Sequence, residues 1–255
     1  RDKMEKQIIT KLHNLEAKEN IKILLAVESG SRAWGFASPD SDYDVRFIYV
    51  RPQEEYLRLE KKRDVIELPI EEELDINGWD LQKTLRLLHK SNPTLWEWVY
   101  SPIIYLETEF LETCQNEMNA YFSVKRSLYH YLSMAEKNYR EYLRKDDVRM
   151  KKYFYVLRPI LACRWLLNRK TPPPVLFTEL LAAELPTTLE TEVYSLLELK
   201  QHSPEVKIIP RIDKLNAYLD ISVAEIKKEL QRMDESPVAD WKELNAWFLR
   251  ELNKN

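Results

Sequence analysis

The chain has 255 residues, a net charge of −3, 44% hydrophobic and 32% charged residues, a balance that fits an ordinary globular protein with ample core and speaks against a broad nucleic-acid clamp. No apolar run is long enough to span a bilayer and no signal-like segment opens the chain, so no membrane association is expected. Cys114 and Cys163 lack metal-like spacing and the four histidines form no ligand motif, so buried thiols in a reducing cytoplasm are expected.

Residues near 3–18 carry a helical pattern that leads into Ile21–Val27, a nearly all-apolar run suited to a strand covered on both faces. Next comes Glu28-Ser29-Gly30-Ser31-Arg32-Ala33-Trp34-Gly35-Phe36, then Asp40-Ser41-Asp42-Tyr43-Asp44 opening a second strand over 43–50. Of only three glycines, two fall in this stretch, which marks backbone that bends sharply or approaches a ligand closely. Backbone N–H groups at Gly30 and Ser31, with the Ser31 hydroxyl, suit the β and γ phosphates of a nucleotide, and Arg32 adds neutralising charge. Asp42 and Asp44, two apart, are expected on one face of the strand. Two such carboxylates repel each other unless a proton or cation sits between them, and Mg²⁺ (or Mn²⁺) accepts one or two carboxylates plus phosphate oxygens.

Two familiar loops fail to fit. In an EF-hand register Val45 stands where the turn glycine belongs and Arg51 where the bidentate glutamate belongs. In a P-loop register Phe36 and Ala37 replace the Lys-Ser/Thr pair. What remains, Gly-Ser, a spacer and Asp-x-Asp opening a strand, resembles the signature of the DNA polymerase β-like nucleotidyltransferase superfamily. The longer string Gly30 to Phe47 is similar to the YcgL-type branch, and the similarity continues through Asp75-Ile76-Asn77-Gly78-Trp79-Asp80, Ser91-Asn92-Pro93-Thr94 and Lys152 to Pro159. The resemblance implies a nucleoside triphosphate as ligand, divalent metal at Asp42 and Asp44, and a third acid on a neighbouring strand.

Strands near 63–69 and 72–77 follow, then a helix from Asp80 to about Lys90. The third acid is Asp75 or Asp80. Leu74 and Ile76 flank Asp75 in alternation, and by resemblance it falls where the family places that acid, whereas Asp80 precedes a helical Leu81, Leu85, Leu88 stripe and reads as an N-cap. Asp75 is therefore the expected third ligand and proton acceptor.

Asn92-Pro93 ends the mixed block. Helices are expected near 94–99, 109–120, 123–144, 149–169, 176–184, 188–201, 210–233 and 238–253. The basic, aromatic tract from Lys137 to Lys152 is a possible phosphate-backbone contact, with a solvated helix face as the plainer reading. The helix containing Lys151–Arg169 is apolar over much of its circumference, so Arg158 within it needs an anion or a carboxylate as partner. Lys152, Tyr155 and Arg158 share nearly one face and are expected to meet the nucleotide.

The expected fold is α+β, a polymerase β-like mixed sheet with helices over residues 1–92 and a helical substrate-binding domain over 93–255, the cleft between them being the default ligand site. The expected activity is transfer of a nucleoside monophosphate to an acceptor hydroxyl with loss of pyrophosphate. An RNA end, a small molecule and a protein side chain all stay open as acceptor. The rival expectation is an antitoxin-like or regulatory partner-binding protein that keeps this fold.

Overall fold

The computed structural model describes residues 2–255. In chain order the elements are α1 (Asp2–Glu19), β1 (Lys22–Ser29), α2 (Gly30–Trp34), β2 (Tyr43–Val50), α3 (Gln53–Tyr56), β3 (Val65–Glu67), β4 (Leu74–Asp80), α4 (Leu81–His89), α5 (Pro93–Val99), β5 (Ile104–Glu107) and α6 (Glu109–Glu117). There follow α7 (Val124–Tyr142), β6 (Asp147–Arg149), α8 (Met150–Arg169), α9 (Phe177–Glu184), α10 (Glu190–Gln201), β7 (Ile208–Pro210), α11 (Asp213–Arg232) and α12 (Lys242–Lys254), with short 3₁₀ turns at Met118–Tyr121 and Thr187–Leu189.

The chain divides into two compact units. The first gathers residues up to Ala33, Asp42–Phe122 and Val238–Asn255, and the second gathers Trp34–Ser41 and Ser123–Pro237. Neither follows a single cut in the sequence.

In the first unit a five-stranded mixed sheet runs β3-β4-β2-β1-β5. β2 and β4 are parallel; the other neighbours are antiparallel. Alternation sorts the side chains. Val45, Phe47 and Tyr49 of β2 and Leu74 and Ile76 of β4 pack with Ile8, Leu12 and Leu15 of α1. Ile48 and Val50 turn to the opposite face, where Leu81, Leu85 and Leu88 of α4, Trp96 of α5, Phe110 of α6 and Trp247 of α12 cover the sheet. Both faces are thus buried, as the apolar run of β1 requires. Asp80 caps α4 by accepting from the Gln82 N–H, and Asn92 caps α5 with Pro93 in its first turn.

Three strands lie outside the sequence expectation. β5 extends the sheet edge beside β1, and β6 pairs with β7 in a separate ribbon. Each has only three or four residues and exposed positions, so no apolar run announces it.

The second unit is helical around α8, whose Tyr153, Phe154, Leu157, Ile160 and Leu161 are essentially excluded from solvent. Pro159 lies inside that helix and removes one backbone donor from its interior. Among the described residues no helix is long and apolar enough to cross a membrane.

Candidate active site

The acids named from the sequence occupy the N-terminal ends of β2 and β4. Asp44 and Asp75 are direct Cα partners in the parallel register, both half-buried, on the face opposite α1. Asp42 stands just before β2, exposed, and its backbone carbonyl accepts from Arg32 Nε at 3.2 Å. The Arg32 guanidinium lies 3.8 Å from the centroid of the Tyr43 ring.

β1 runs straight into Gly30, which adopts φ +62°, a left-handed conformation that suits glycine. A Cβ at this position would fall 2.2 Å from Asp44 Oδ2, so the missing side chain is the space that the carboxylate fills. Ser31, 4% exposed, follows in α2.

Three further residues complete the arrangement, and sequence reasoning gave them no role. Arg46 Nη2 lies 3.0 Å from Asp75 Oδ2 and 3.7 Å from Asp44 Oδ1, so one guanidinium compensates both carboxylates. Asn77 donates to the other Asp75 oxygen at 2.8 Å. Glu28, fully buried, accepts from the Asp44 N–H at 2.7 Å and from the Tyr105 hydroxyl at 2.8 Å. Burial is the main cause that pushes the Glu28 carboxyl up to about 7. Two signals were available in the sequence. Glu28 is a charge at the end of an apolar strand, and Arg46 continues the same-face alternation of Asp42 and Asp44.

The donors offered by Asp42, Asp44 and Asp75 are all carboxylate oxygens, the ligand type that Mg²⁺ and Mn²⁺ prefer. Their chemistry fits such a cation, and the room kept at Gly30 for the Asp44 carboxylate fits a site that must stay open around it. As described, Arg46 does the compensating, and among the described residues no group of three or more His, Cys, Asp or Glu is arranged to hold a metal.

In the helical unit, Lys152, Tyr155 and Arg158 form one connected row on α8. Lys152 Nζ lies 3.9 Å from the Tyr142 ring centroid and 5.2 Å from that of Tyr155. Tyr155 meets Trp34 edge-on at 5.7 Å. The Arg158 guanidinium lies 4.3 Å from the Trp34 ring centroid and donates to the Val175 carbonyl at 3.0 Å. Burial, with Lys151 and Arg149 nearby, lowers the pKa of Lys152.

The same unit holds the spacer of the signature, residues 34–41. Phe36 is fully buried between Phe154 and Phe177. Lys200, also fully buried, donates to Ser38 Oγ at 2.8 Å and pairs with Glu205 at 3.0 Å. Glu205 accepts from Ser41 as well, and its N–H donates to Asp40 Oδ1 at 2.9 Å.

A Gly-Ser turn feeding from one strand towards carboxylates paired across the next two, in a mixed sheet backed by helices, defines the polymerase β-like nucleotidyltransferase fold. The chain belongs to the RlaP family, described as the RNA repair pathway DNA polymerase beta family, whose model matches residues 4–250. It is 44% identical over 258 residues to the uncharacterized protein YcgL of Bacillus subtilis (strain 168), across 98% of this chain and 97% of that protein. A nucleotidyltransferase-like protein from Exiguobacterium sibiricum aligns at 15% identity and TM-score 0.33, over 89% of this chain and 74% of the other. A spectinomycin adenyltransferase from Enterococcus faecialis, solved with ATP and spectinomycin, aligns at 11% identity and TM-score 0.43, over 88% and 98%.

Proposed function

We propose that the chain is a metal-dependent nucleotidyltransferase that moves a nucleoside monophosphate from a nucleoside triphosphate to an acceptor hydroxyl, releasing pyrophosphate. The observation that carries this reading is the direct pairing of Asp44 with Asp75 beside a glycine whose absent side chain makes room for the Asp44 carboxylate. Asp42, Asp44 and Asp75 are the residues that would hold Mg²⁺ or Mn²⁺, and such a cation supplies neutralisation of triphosphate charge. Gly30 and Ser31 offer backbone N–H groups and a hydroxyl to the β and γ phosphates, and Arg32 adds positive charge. Asp75 takes the proton of the acceptor hydroxyl. Arg46 and Asn77 orient Asp75, and Glu28 fixes the backbone at Asp44. Within the helical unit, Lys152, Tyr155 and Arg158 are the residues assigned to nucleotide binding. Catalysis of this type rests on positioning and charge compensation. The family's description, an RNA repair pathway, favours an RNA end as acceptor.

One observation favours a second reading. Arg46 already compensates Asp44 and Asp75, as befits a partner-binding, antitoxin-like protein that has kept the fold without the metal. The experiment that separates them incubates the protein and Mg²⁺ with labelled ATP, CTP, GTP or UTP and with RNA, protein or small-molecule acceptors. Transfer that disappears in Asp42→Ala plus Asp44→Ala, with the fold retained, supports the enzyme. No transfer with any combination leaves the partner-binding reading.

A further inference from the structure

The opposite ends of the same two strands border a concavity. Arg51 directly follows β2, so the length of the strand, roughly 20 Å at about 3.3 Å per residue, separates it from Asp44. The cavity holds about 580 Å³ and is lined by Arg51, Lys61, Asp80, Gln82 and Arg86 among others, all of the first unit. That volume suits a nucleotide-sized ligand, since small-molecule sites run from about 300 to 1,000 Å³.

The acids of its wall are already engaged. Glu55 pairs with Lys62 at 2.6 Å and with Arg58 at 3.7 Å. Asp64 lies 3.7 Å from Lys83, and Glu60 pairs with Arg58. The Asp80 oxygens accept from the Gln82 N–H at 2.7 Å and the Tyr56 hydroxyl at 3.0 Å. Among the described residues Arg51, Lys61 and Arg86 form no ion pair, although Arg51 lies close enough to Asp80 and Glu55 to act on them electrostatically.

Arg51 is the most telling of the three. It is 8% exposed, its buried Nε has no hydrogen-bond partner, Nη1 reaches the Glu19 carbonyl at 3.5 Å, and the guanidinium lies 5.3 Å from the Tyr49 ring centroid. A mostly buried guanidinium with no carboxylate in ion-pair contact, on the wall of a polar cavity, favours an anion there. Gln82 and Arg86 also line an adjoining groove of about 270 Å³ with Trp241 and Phe248. Trp241 stacks on His89 at 3.6 Å and is 43% exposed, which leaves ring surface available to a second flat group.

We infer that this end of the sheet binds a nucleotide, free or as one unit of a nucleic-acid strand, with phosphate at Arg51, Lys61 and Arg86 and the base against Trp241 and Phe248. The two halves of the ligand match the two halves of the surface: an anion for cations that form no close ion pair, a flat apolar ring for an aromatic groove. This site is separate from the one at Asp44 and does not depend on the transfer reaction.

The test uses the full chain carrying Asp42→Ala and Asp44→Ala, in EDTA, so that metal-dependent binding at the other end is removed. Calorimetry with AMP should show saturable binding, and adenosine without its phosphate should bind at least about tenfold more weakly. Lys61→Glu plus Arg86→Glu, two exposed positions, should weaken AMP by at least about tenfold with the melting temperature unchanged. Trp241→Ala should weaken AMP and leave inorganic pyrophosphate unaffected. A 5′-phosphorylated RNA oligonucleotide that displaces AMP at lower concentration identifies a strand as the source. AMP that resists displacement identifies a free nucleotide. Absence of AMP and RNA binding, or binding indifferent to charge reversal at Lys61 and Arg86, would overturn the inference.

Discussion

Gly30 and Asp44 meet so closely that a Cβ on the glycine would fall 2.2 Å from Asp44 Oδ2 and 3.1 Å from its Cγ. The glycine also holds φ +62°, where an L side chain is strained. Gly30→Ala should cost about 1–2 kcal/mol of stability in urea unfolding. Its larger effect should be on the site, because the Asp44 carboxylate has to move aside. Calorimetry with ATP and Mg²⁺ should show binding lost in a variant that is still folded. Normal binding would mean that Asp44 does not have to occupy that space.

Asp75 and Asp80 bracket the same short strand and should separate cleanly. Asp75→Asn should eliminate nucleotidyl transfer with little change in melting temperature, because Arg46 keeps the amide oxygen as acceptor and Asn77, its amide turned over, accepts from the new NH2. Asp80→Ala removes the cap of α4 and should cost roughly 0.5–2 kcal/mol while transfer persists. The reversed pattern would assign the third carboxylate to Asp80.

Asp80 also gives a pH signature. Burial raises its carboxyl from 3.8 to about 6, outweighing the Gln82 and Tyr56 hydrogen bonds that favour its charge. The folded state therefore holds this proton more tightly than the unfolded state. The stabilisation is full below about 4 and is lost as pH rises to about 6. Asp80→Asn keeps a capping acceptor and removes the titration. Relative to that variant, the native chain should lose up to about 3 kcal/mol between pH 4 and 7, read from urea midpoints. A difference that does not change with pH would contradict a carboxyl raised by burial.

Lys200 anchors the spacer of the signature. It is fully buried, and removing its side-chain amine would leave Glu205 with Lys151 at 3.4 Å as its remaining cation and take a donor from Ser38 Oγ. Lys200→Met should destabilise the chain by less than about 3–5 kcal/mol, the cost of a fully uncompensated buried charge, because Lys151 still faces Glu205. Adding Glu205→Gln should return part of that loss, because the carboxylate that lost its closest cation disappears with it. A double-mutant cycle with no coupling would show that the two charges are held independently.

What could be read from the sequence was local. The apolar run of β1, the alternation of β2 around Asp44, the glycine that must turn beyond Ser29 and the Asp80 cap each depend on residues within a turn or a strand of one another. The α+β class followed from the same patterns. What only the tertiary structure decided was long-range. Asp44 faces Asp75 because β2 and β4 align in a parallel register, which places Arg46 on an acid 29 residues away. Glu28 became a buried support of Asp44 once Tyr105 of β5 arrived, on a strand too short to be marked by its own sequence. Ser38 is held by Lys200 across 162 residues, and α12 returns to cover the sheet beside α4. Propensity acts over a few neighbouring residues, whereas burial and charge compensation choose partners by position in space. The acids proposed for the site could therefore be named from the sequence, and the groups that pack and hydrogen-bond around them could not.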